Sequence, residues 1–337
     1  MSVLVVGAGG VGSMIAAILD HSGRSLNLLG RGSHFNFARA SGMRANANGK
    51  ILETSSRLTC LNSPADAEEK ASVVVLAIKS FDTLTTLRSL APLISPTTVF
   101  ISLQNGVDNE SLIQAIYPEA TIVAGIINGH YSIPKPGEVA WEGNYGAVAG
   151  AWFSGDRDRA RQAWQGLFQG TILPEIFVEG EGAAARIKWS KLVLNCGFNA
   201  INALTGLAPD QIIADPLQGD LATRSFQEAF SVMHAMGVES LDLPGAQIKL
   251  IEKICQKPAP EARRKLAMVT PKSSGNVASS MRQDLLQGRR ATEILEINGA
   301  VTREGTRLAI PTPANLAIVD ALKNQSSLVV ASLFAKG

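Results

Sequence analysis

Cysteine is scarce in this sequence, and the three present, Cys60, Cys196 and Cys255, stand far apart. No Cys-x-x-Cys pair or metal-ligand spacing occurs. This speaks against a disulfide framework and points to a reducing compartment, with the thiols acting as small hydrophobes. Histidine is equally scarce: His21, His34, His130 and His234 form no His-Glu-x-x-His cluster, so a protein-held metal centre is not expected. Charge of neither sign prevails. With 31 basic against 29 acidic side chains the formal net charge is +2, which gives no reason to expect nucleic acid or an anionic membrane as partner. No window reaches about 18 uninterrupted apolar residues, so no membrane-spanning helix is expected. The glycine-broken start "MSVLVVGAGGVGSMIAAIL" reads as strand, turn and helix rather than as a secretion signal. These absences together predict a soluble, cytoplasmic protein.

What is present suffices for two ordinary domains. Of 337 residues, 46% are hydrophobic and 18% charged, which supplies sizeable cores and argues against disorder. The first half alternates strand-like and helix-like segments. Val3–Val6 is β-branched, 25–30 reads as a second strand, and 72–79 and 98–106 are continuous apolar runs, as strands covered on both faces require. Segments 120–128, 138–143 and 145–152 add further strands. After 171–180 strand signals nearly vanish and helical periodicity takes over, over 184–204, 217–236, 244–256, 292–307 and 313–324. The expected fold is therefore α/β: an N-terminal Rossmann-type, doubly wound sheet over residues 1–180, then a mainly α-helical domain over 181–337.

The segment "VVGAGGVG" places Gly7, Gly9 and Gly12 as G-x-G-x-x-G directly after a strand and at the start of a helix. In this context the first glycine permits a tight turn, the second a close approach to a pyrophosphate and the third close helix–strand packing. The whole turn, Gly7, Ala8, Gly9, Gly10, Val11 and Gly12, is expected to bind a dinucleotide, with helix N–H groups facing its phosphates. The second strand ends "LLGRGSH" with Arg31 and no carboxylate. An acid there holds the ribose 2′-hydroxyl of NAD, whereas arginine pairs with a 2′-phosphate, so NADP is favoured. Lys79 and Gln104-Asn105-Gly106 end two more strands at the same edge of the sheet. Either is a ligand contact or a helix cap, and for Asn105 the ligand is favoured.

The stretch "WSKLVLNCGFNAINALTG" carries Lys191, Asn195, Asn199 and Asn202 among apolar residues. At roughly 100° per residue these four fall within an arc of about 80°. Polar groups on such a stripe require partners. Carbonyl reduction leaves negative charge on oxygen and needs a proton donor. Lys191, whose pKa burial would lower, fits that need better than any of the four histidines. Ser279-Ser280 either caps a helix or contacts a ligand. Glu293 either complements the start of the 292–307 helix or serves the site.

Taken together, "GAGGVG", "LLGRG", "AIKS", "LQNGV", the lysine–amide stretch, "SSMRQD", "TEILEING" and "IPTPANLAIVDALK" resemble the ketopantoate reductase family over most of the chain. The resemblance implies a Rossmann domain with a helical substrate and catalytic domain. It implies NADPH as cofactor and reduction of the 2-oxo acid 2-dehydropantoate to (R)-pantoate on the route to pantothenate and coenzyme A. It makes Lys191 the proton donor, and Asn105, Asn195, Asn199 and Ser280 substrate contacts. Asn105 would also touch the nicotinamide ribose. Glu293 would orient the active site from the cofactor side, with Lys79 near the cofactor and Arg31 at the 2′-phosphate. Three departures stand out: one extra residue between Gln283 and Glu293, an acid at Asp210, and the segment around His130-Tyr131. A reductase of another 2-oxo acid or an imine, and a non-catalytic NADPH sensor, remain as alternatives. The apolar "SLVVASLF" near the C-terminus suits either a homodimer interface or a packed tail.

Overall fold

The computed structural model describes residues 1–272, 278–289 and 291–324, and these divide into two compact units. The first comprises Met1–Gln104 and Asp108–Ile187, the second Asn105–Val107 and Lys188 onward.

The first unit is built on one sheet. Its elements in chain order are β1 (Val3–Val6), α1 (Gly10–His21), β2 (Leu26–Leu29), α2 (Ser33–Ser41), β3 (Arg44–Ala47), β4 (Lys50–Glu53), β5 (Leu58–Leu61), β6 (Val73–Leu76), α3 (Thr83–Ser89), β7 (Val99–Ser102), α4 (Asn109–Ile116), β8 (Thr121–Lys135), β9 (Glu138–Ser154), α5 (Arg157–Phe168) and β10 (Glu175–Val178). Among the described residues the strands pair in the order β4-β3-β9-β8-β7-β6-β1-β2-β5, with β10 on β9. Pairing is parallel except for β3–β4 and β8–β9.

Successive side chains of a strand point to opposite faces, and both faces here are covered. Val3 and Val5 of β1 enter one core with Met14, Ile15 and Ile18 of α1 and Trp164 of α5. Leu4 and Val6 enter the other with Leu87 of α3 and Ile113 of α4. That is why β1, β6 and β7 are unbroken apolar runs. The strand order reverses between β1 and β6, so the carboxyl ends of β2, β1, β6 and β7 form one edge at the topological switch point.

The second unit is helical. It contains most of α6 (Ala183–Thr205), then α7 (Pro209–Ala214), α8 (Pro216–Ala235), α9 (Ile248–Cys255), α10 (Ala259–Val269), α11 (Ser280–Leu286), α12 (Asn298–Arg307) and α13 (Pro313–Lys323).

Several elements differ from the sequence expectation. The short strands β3, β4 and β5 were not foreseen, and 138–143 and 145–152 form one strand. The helix expected from 244 begins at Ile248, because Leu243 and Ala246 close a tight turn across Gly245, whose φ is +76°. The helix expected from 292 begins only at Asn298, with Glu293 in the preceding turn. No helix of the described residues is long and apolar enough to cross a membrane. The "SLVVASLF" segment lies outside the described residues.

Candidate active site

The glycines of the first turn do different work. Gly7 adopts φ +110°, and a Cβ there would lie 2.7 Å from the Ala77 carbonyl oxygen. A Cβ on Gly12 would lie 1.8 Å from the Gly7 carbonyl oxygen, so α1 can pack on its own turn only without a side chain. Gly10 is similarly closed by the Tyr131 carbonyl of β8, at 2.8 Å. Ala8 and Val11 pack against the first core. Gly9 alone has nothing within 4 Å of its Cβ position. It is also the N-cap of the twelve-residue α1, with no side-chain cap and no acid in the first turn. Helix N–H groups at such an end lack intrahelical partners and favour an anion. The turn therefore fits a dinucleotide pyrophosphate, and packing leaves the bareness of Gly9 unexplained.

At the end of β2, Arg31 has 90% of its side chain exposed and lies 3.5 Å from the Asp82 carboxylate. Asp82 follows β6 by a short turn. Its approach to Arg31 could not be read from the sequence, because 51 positions separate the pair. Lys79 is the N-cap residue of that short turn, Ser80–Asp82, but its side chain makes no cap hydrogen bond. Gln104 is turned inward: its amide donates to Thr83 Oγ1 at 2.7 Å, which makes it a tie to α3.

In the second unit the stripe on α6 is now resolved residue by residue. Leu192, Val193, Cys196, Ala200 and Ile201 bury the rest of the helix. Lys191 is half-buried, and desolvation lowers its ammonium pKa to about 8. One turn on, Asn195 is 6% exposed and donates from Nδ2 to Asn105 Oδ1 at 3.2 Å. Asn105 in turn donates from Nδ2 to Glu293 Oε2 at 3.1 Å. Glu293 is 2% exposed and reaches this contact even with the longer loop that precedes it. Arg290 of that loop lies outside the described residues.

Ser279 and Ser280 separate cleanly. Ser279 caps α11, accepting from the Arg282 N–H at 3.2 Å, and its hydroxyl donates to the Asn199 carbonyl at 2.8 Å. Ser280 Oγ is buried without a hydrogen-bond partner among the described residues, as a hydroxyl kept for a ligand would be. Asn202 pairs with backbone on both sides: Nδ2 donates to the Leu207 carbonyl at 2.9 Å and Oδ1 accepts the Ser279 N–H at 2.7 Å. Asp210 lies in the first turn of α7, with a buried Oδ1 that meets no donor among the described residues. Arg282, not singled out from the sequence, lies over Gly206 and donates to the Asn202 carbonyl at 3.1 Å.

The remaining candidates are structural. Tyr131 donates to the Asn128 carbonyl and packs beside Trp141, and burial raises its phenol pKa. His130 lies 3.6 Å from Glu142, and burial lowers its imidazole pKa. Cys60, Cys196 and Cys255 are free thiols whose pKa values burial raises, so none is an activated nucleophile. Among the described residues no group of three metal-ligating side chains occurs.

One unit thus carries a bare glycine turn at a switch point. The other carries a lysine with a lowered pKa beside a chain of two carboxamides and a buried acid. These features define an oxidoreductase on a dinucleotide-binding scaffold. The chain belongs to the ketopantoate reductase (PanE/ApbA) family, matching it over residues 3–153 and its C-terminal domain over residues 183–326. It is 25% identical over 328 residues to the 2-dehydropantoate 2-reductase of Archaeoglobus fulgidus, covering 96% of this chain and 98% of that one. The Mesorhizobium japonicum 2-dehydropantoate 2-reductase is 29% identical, covering 93% and 94%. Among solved structures, the PanE/ApbA family ketopantoate reductase of Ralstonia eutropha superposes with a TM-score of 0.78 at 25% identity, covering 96% and 98%. A D-mandelate dehydrogenase in complex with NADH and anilino(oxo)acetate shares the fold with a TM-score of 0.79 at 21% identity, covering 99% of each chain.

Proposed function

We propose that this chain reduces 2-dehydropantoate to (R)-pantoate with NADPH, a step toward pantothenate and coenzyme A. The observation that carries the proposal is the pairing of Lys191, at about 8, with the Asn195–Asn105–Glu293 chain one turn away. The family supports the substrate, since its curated relatives are named for that reaction.

The cofactor, when bound, supplies the hydride to the carbonyl carbon. The turn Gly7–Gly12 would hold its pyrophosphate on the N-terminus of α1, with Arg31 at the 2′-phosphate and Lys79 nearby. Lys191 Nζ would give its proton to the carbonyl oxygen as negative charge grows there. An ammonium lowered to about 8 is still mostly protonated at neutral pH, and it releases the proton more readily than an ordinary lysine. Asn195, Asn199 and the unpartnered Ser280 hydroxyl would anchor the substrate's carboxylate and hydroxyl. Glu293 would hold the Asn105 amide in the orientation that serves both ligands.

The test is a panel of 2-oxo acids assayed with NADPH and NADH side by side, with Lys191→Ala beside wild type. The expected result is a preference for 2-dehydropantoate and NADPH, with Lys191→Ala losing most turnover while still binding NADPH. Near wild-type turnover in Lys191→Ala removes the proton donor from the scheme, and no turnover on any oxo acid removes the function. One observation favours a second reading of the cofactor. Asp82 lies 3.5 Å from Arg31; a carboxylate there would suit a ribose hydroxyl rather than a 2′-phosphate, and a lower KM for NADH would establish that reading.

A further inference from the structure

Behind the stripe of α6 lies a buried polar network that the proposed chemistry leaves unexplained. It centres on the carbonyl of Cys196, the residue that follows Asn195. That oxygen accepts from Asn298 Nδ2 at 3.0 Å and from Ser225 Oγ at 3.2 Å. Both donors also reach Asn315 Oδ1, each at 2.9 Å. Asn315 Nδ2 donates to Glu228 at 2.8 Å, and Glu228 accepts the backbone N–H groups of Ala314 and Asn315 at 2.8 and 2.9 Å. Asn298, Asn315 and Ser225 are fully buried. The orientation of Asn298 is unambiguous, since its amide nitrogen faces two oxygens that act only as acceptors. Two helices, α8 and α12, therefore donate to one carbonyl in the middle of α6, and α13 joins them through Asn315 Oδ1. Close packing completes the contact: a Cβ on Gly197 would lie 2.2 Å from the Phe226 ring of α8.

The network closes a ring with the site. On the front, Asn195 reaches Glu293 through the Asn105 side chain. On the back, the Glu293 carbonyl accepts from the Ile297 N–H at 3.0 Å, and the next residue, Asn298, grips the carbonyl adjacent to Asn195. We propose that Asn298, seconded by Ser225 and Asn315, is a positioning residue: it sets the spacing between the helix bearing Lys191 and Asn195 and the turn bearing Glu293. This inference rests on the reading of those three residues as the active centre. Asn298 Oδ1 is buried and meets no partner among the described residues, so it is the amide nitrogen that ties this side chain into the fold. An Asn side chain offers two N–H donors from one atom, and both are used to bridge separate elements. A buried amide of this kind specifies one arrangement of its helices, because any shift leaves an acceptor unpaired.

The test uses the full chain with Asn298→Leu, near in size but without donors, and the milder Ser225→Ala. Leu266→Ala in α10, also in the helical unit, serves as a control for destabilisation alone. Asn298→Leu is expected to lower kcat for the oxo acid by about tenfold or more, since small misplacements of reacting groups have effects of that order. Ser225→Ala should lower it by about threefold, with KM for NADPH within about twofold of wild type in both. Leu266→Ala, compared at equal loss of thermal midpoint, should keep its kcat.

A second readout is independent of turnover: the pH dependence of Lys191 acylation by acetic anhydride, followed by mass spectrometry of its peptide. Its midpoint should move up toward the ordinary lysine value in Asn298→Leu as water enters, and stay in place in Leu266→Ala. If Asn298→Leu fails to fold, Ser225→Ala decides on both readouts. Wild-type kcat and wild-type Lys191 titration in the network variants overturn the proposal, as does an equal loss in Leu266→Ala. A wild-type protein inactive on every oxo acid refutes the function alone, and the Lys191 midpoint still decides the positioning role.

Discussion

At the scale of single residues, half-burial of Lys191 governs both its chemistry and its effect on stability. Its pKa of about 8 means that the donor form is lost as pH rises through that value, so kcat for carbonyl reduction should fall above pH 8 in a pH–rate profile. The stability effect has the opposite sign. Between about 8 and the ordinary lysine value of 10.5 the unfolded chain holds the proton more tightly than the folded one, so the folded state gains stability as pH rises through this window. Lys191→Met is therefore expected to raise the thermal midpoint at pH 7, with the advantage fading between pH 8 and 10.5; scanning calorimetry across that range checks it. Arg31 invites a different measurement. If it holds a 2′-phosphate, Arg31→Ala should raise KM for NADPH by about tenfold, the order of one charge-assisted contact, and leave KM for NADH unchanged. Helical spacing alone made Lys191 and the three amides legible in the sequence as a polar stripe. The partners were not legible, because Asn105 lies 90 positions before Asn195 and 188 before Glu293. Asn202, indistinguishable from its neighbours in the sequence, became a backbone tie once Leu207 and Ser279 were seen on either side of it.

At the scale of elements, the turn between β1 and α1 separates packing from binding. Gly12→Ala would drive a methyl into the Gly7 carbonyl, so it should lower the thermal midpoint severely or prevent folding. Gly9→Ala meets open space, so the apo-protein should keep its midpoint within the small range of surface substitutions. Its NADPH affinity should nevertheless drop, as titration by fluorescence or calorimetry would show. Equal behaviour of the two variants would remove Gly9 from the binding role. The elements that the sequence revealed were those with strong patterns. β1, β6 and β7 are continuously apolar because both faces are covered, and α6 and α8 run for 23 and 20 residues. The strands β3, β4 and β5, each of four residues, were hidden. "RANA" exposes alternate positions and "KILE" buries only Leu52, so neither holds enough residues for a period of two to stand out. The late start of α12 was hidden for a different reason. "TEILEING" has helical spacing, but Glu293 stands in a turn, where its carboxylate accepts from Asn105.

At the scale of the whole molecule, the chain forms two compact units of unlike construction, one around a ten-stranded sheet and one of packed helices. A dinucleotide that binds only the folded protein should stabilise it by mass action. At about 100 times its Kd, NADPH should add about 2.7 kcal/mol, visible as a raised midpoint in calorimetry of the full chain. Gly9→Ala should shrink the rise at the same NADPH concentration while leaving the apo midpoint in place. A midpoint unmoved by NADPH in the wild type would count against the cofactor assignment itself.

Local sequence by itself determined the α/β class, the glycine turn and the α6 stripe, because each depends on the spacing of neighbouring residues along one element. Only the tertiary structure decided which polar groups find partners within the protein and which do not. Gln104, Asn202 and Ser279 turn to partners in the protein, the Ser280 hydroxyl meets none among the described residues, and Asn195 reaches Glu293 through Asn105. The physical reason is that a buried polar group is satisfied by whatever lies within about 3 Å of it. Chain folding brings those groups together from distant positions, so periodicity cannot announce them.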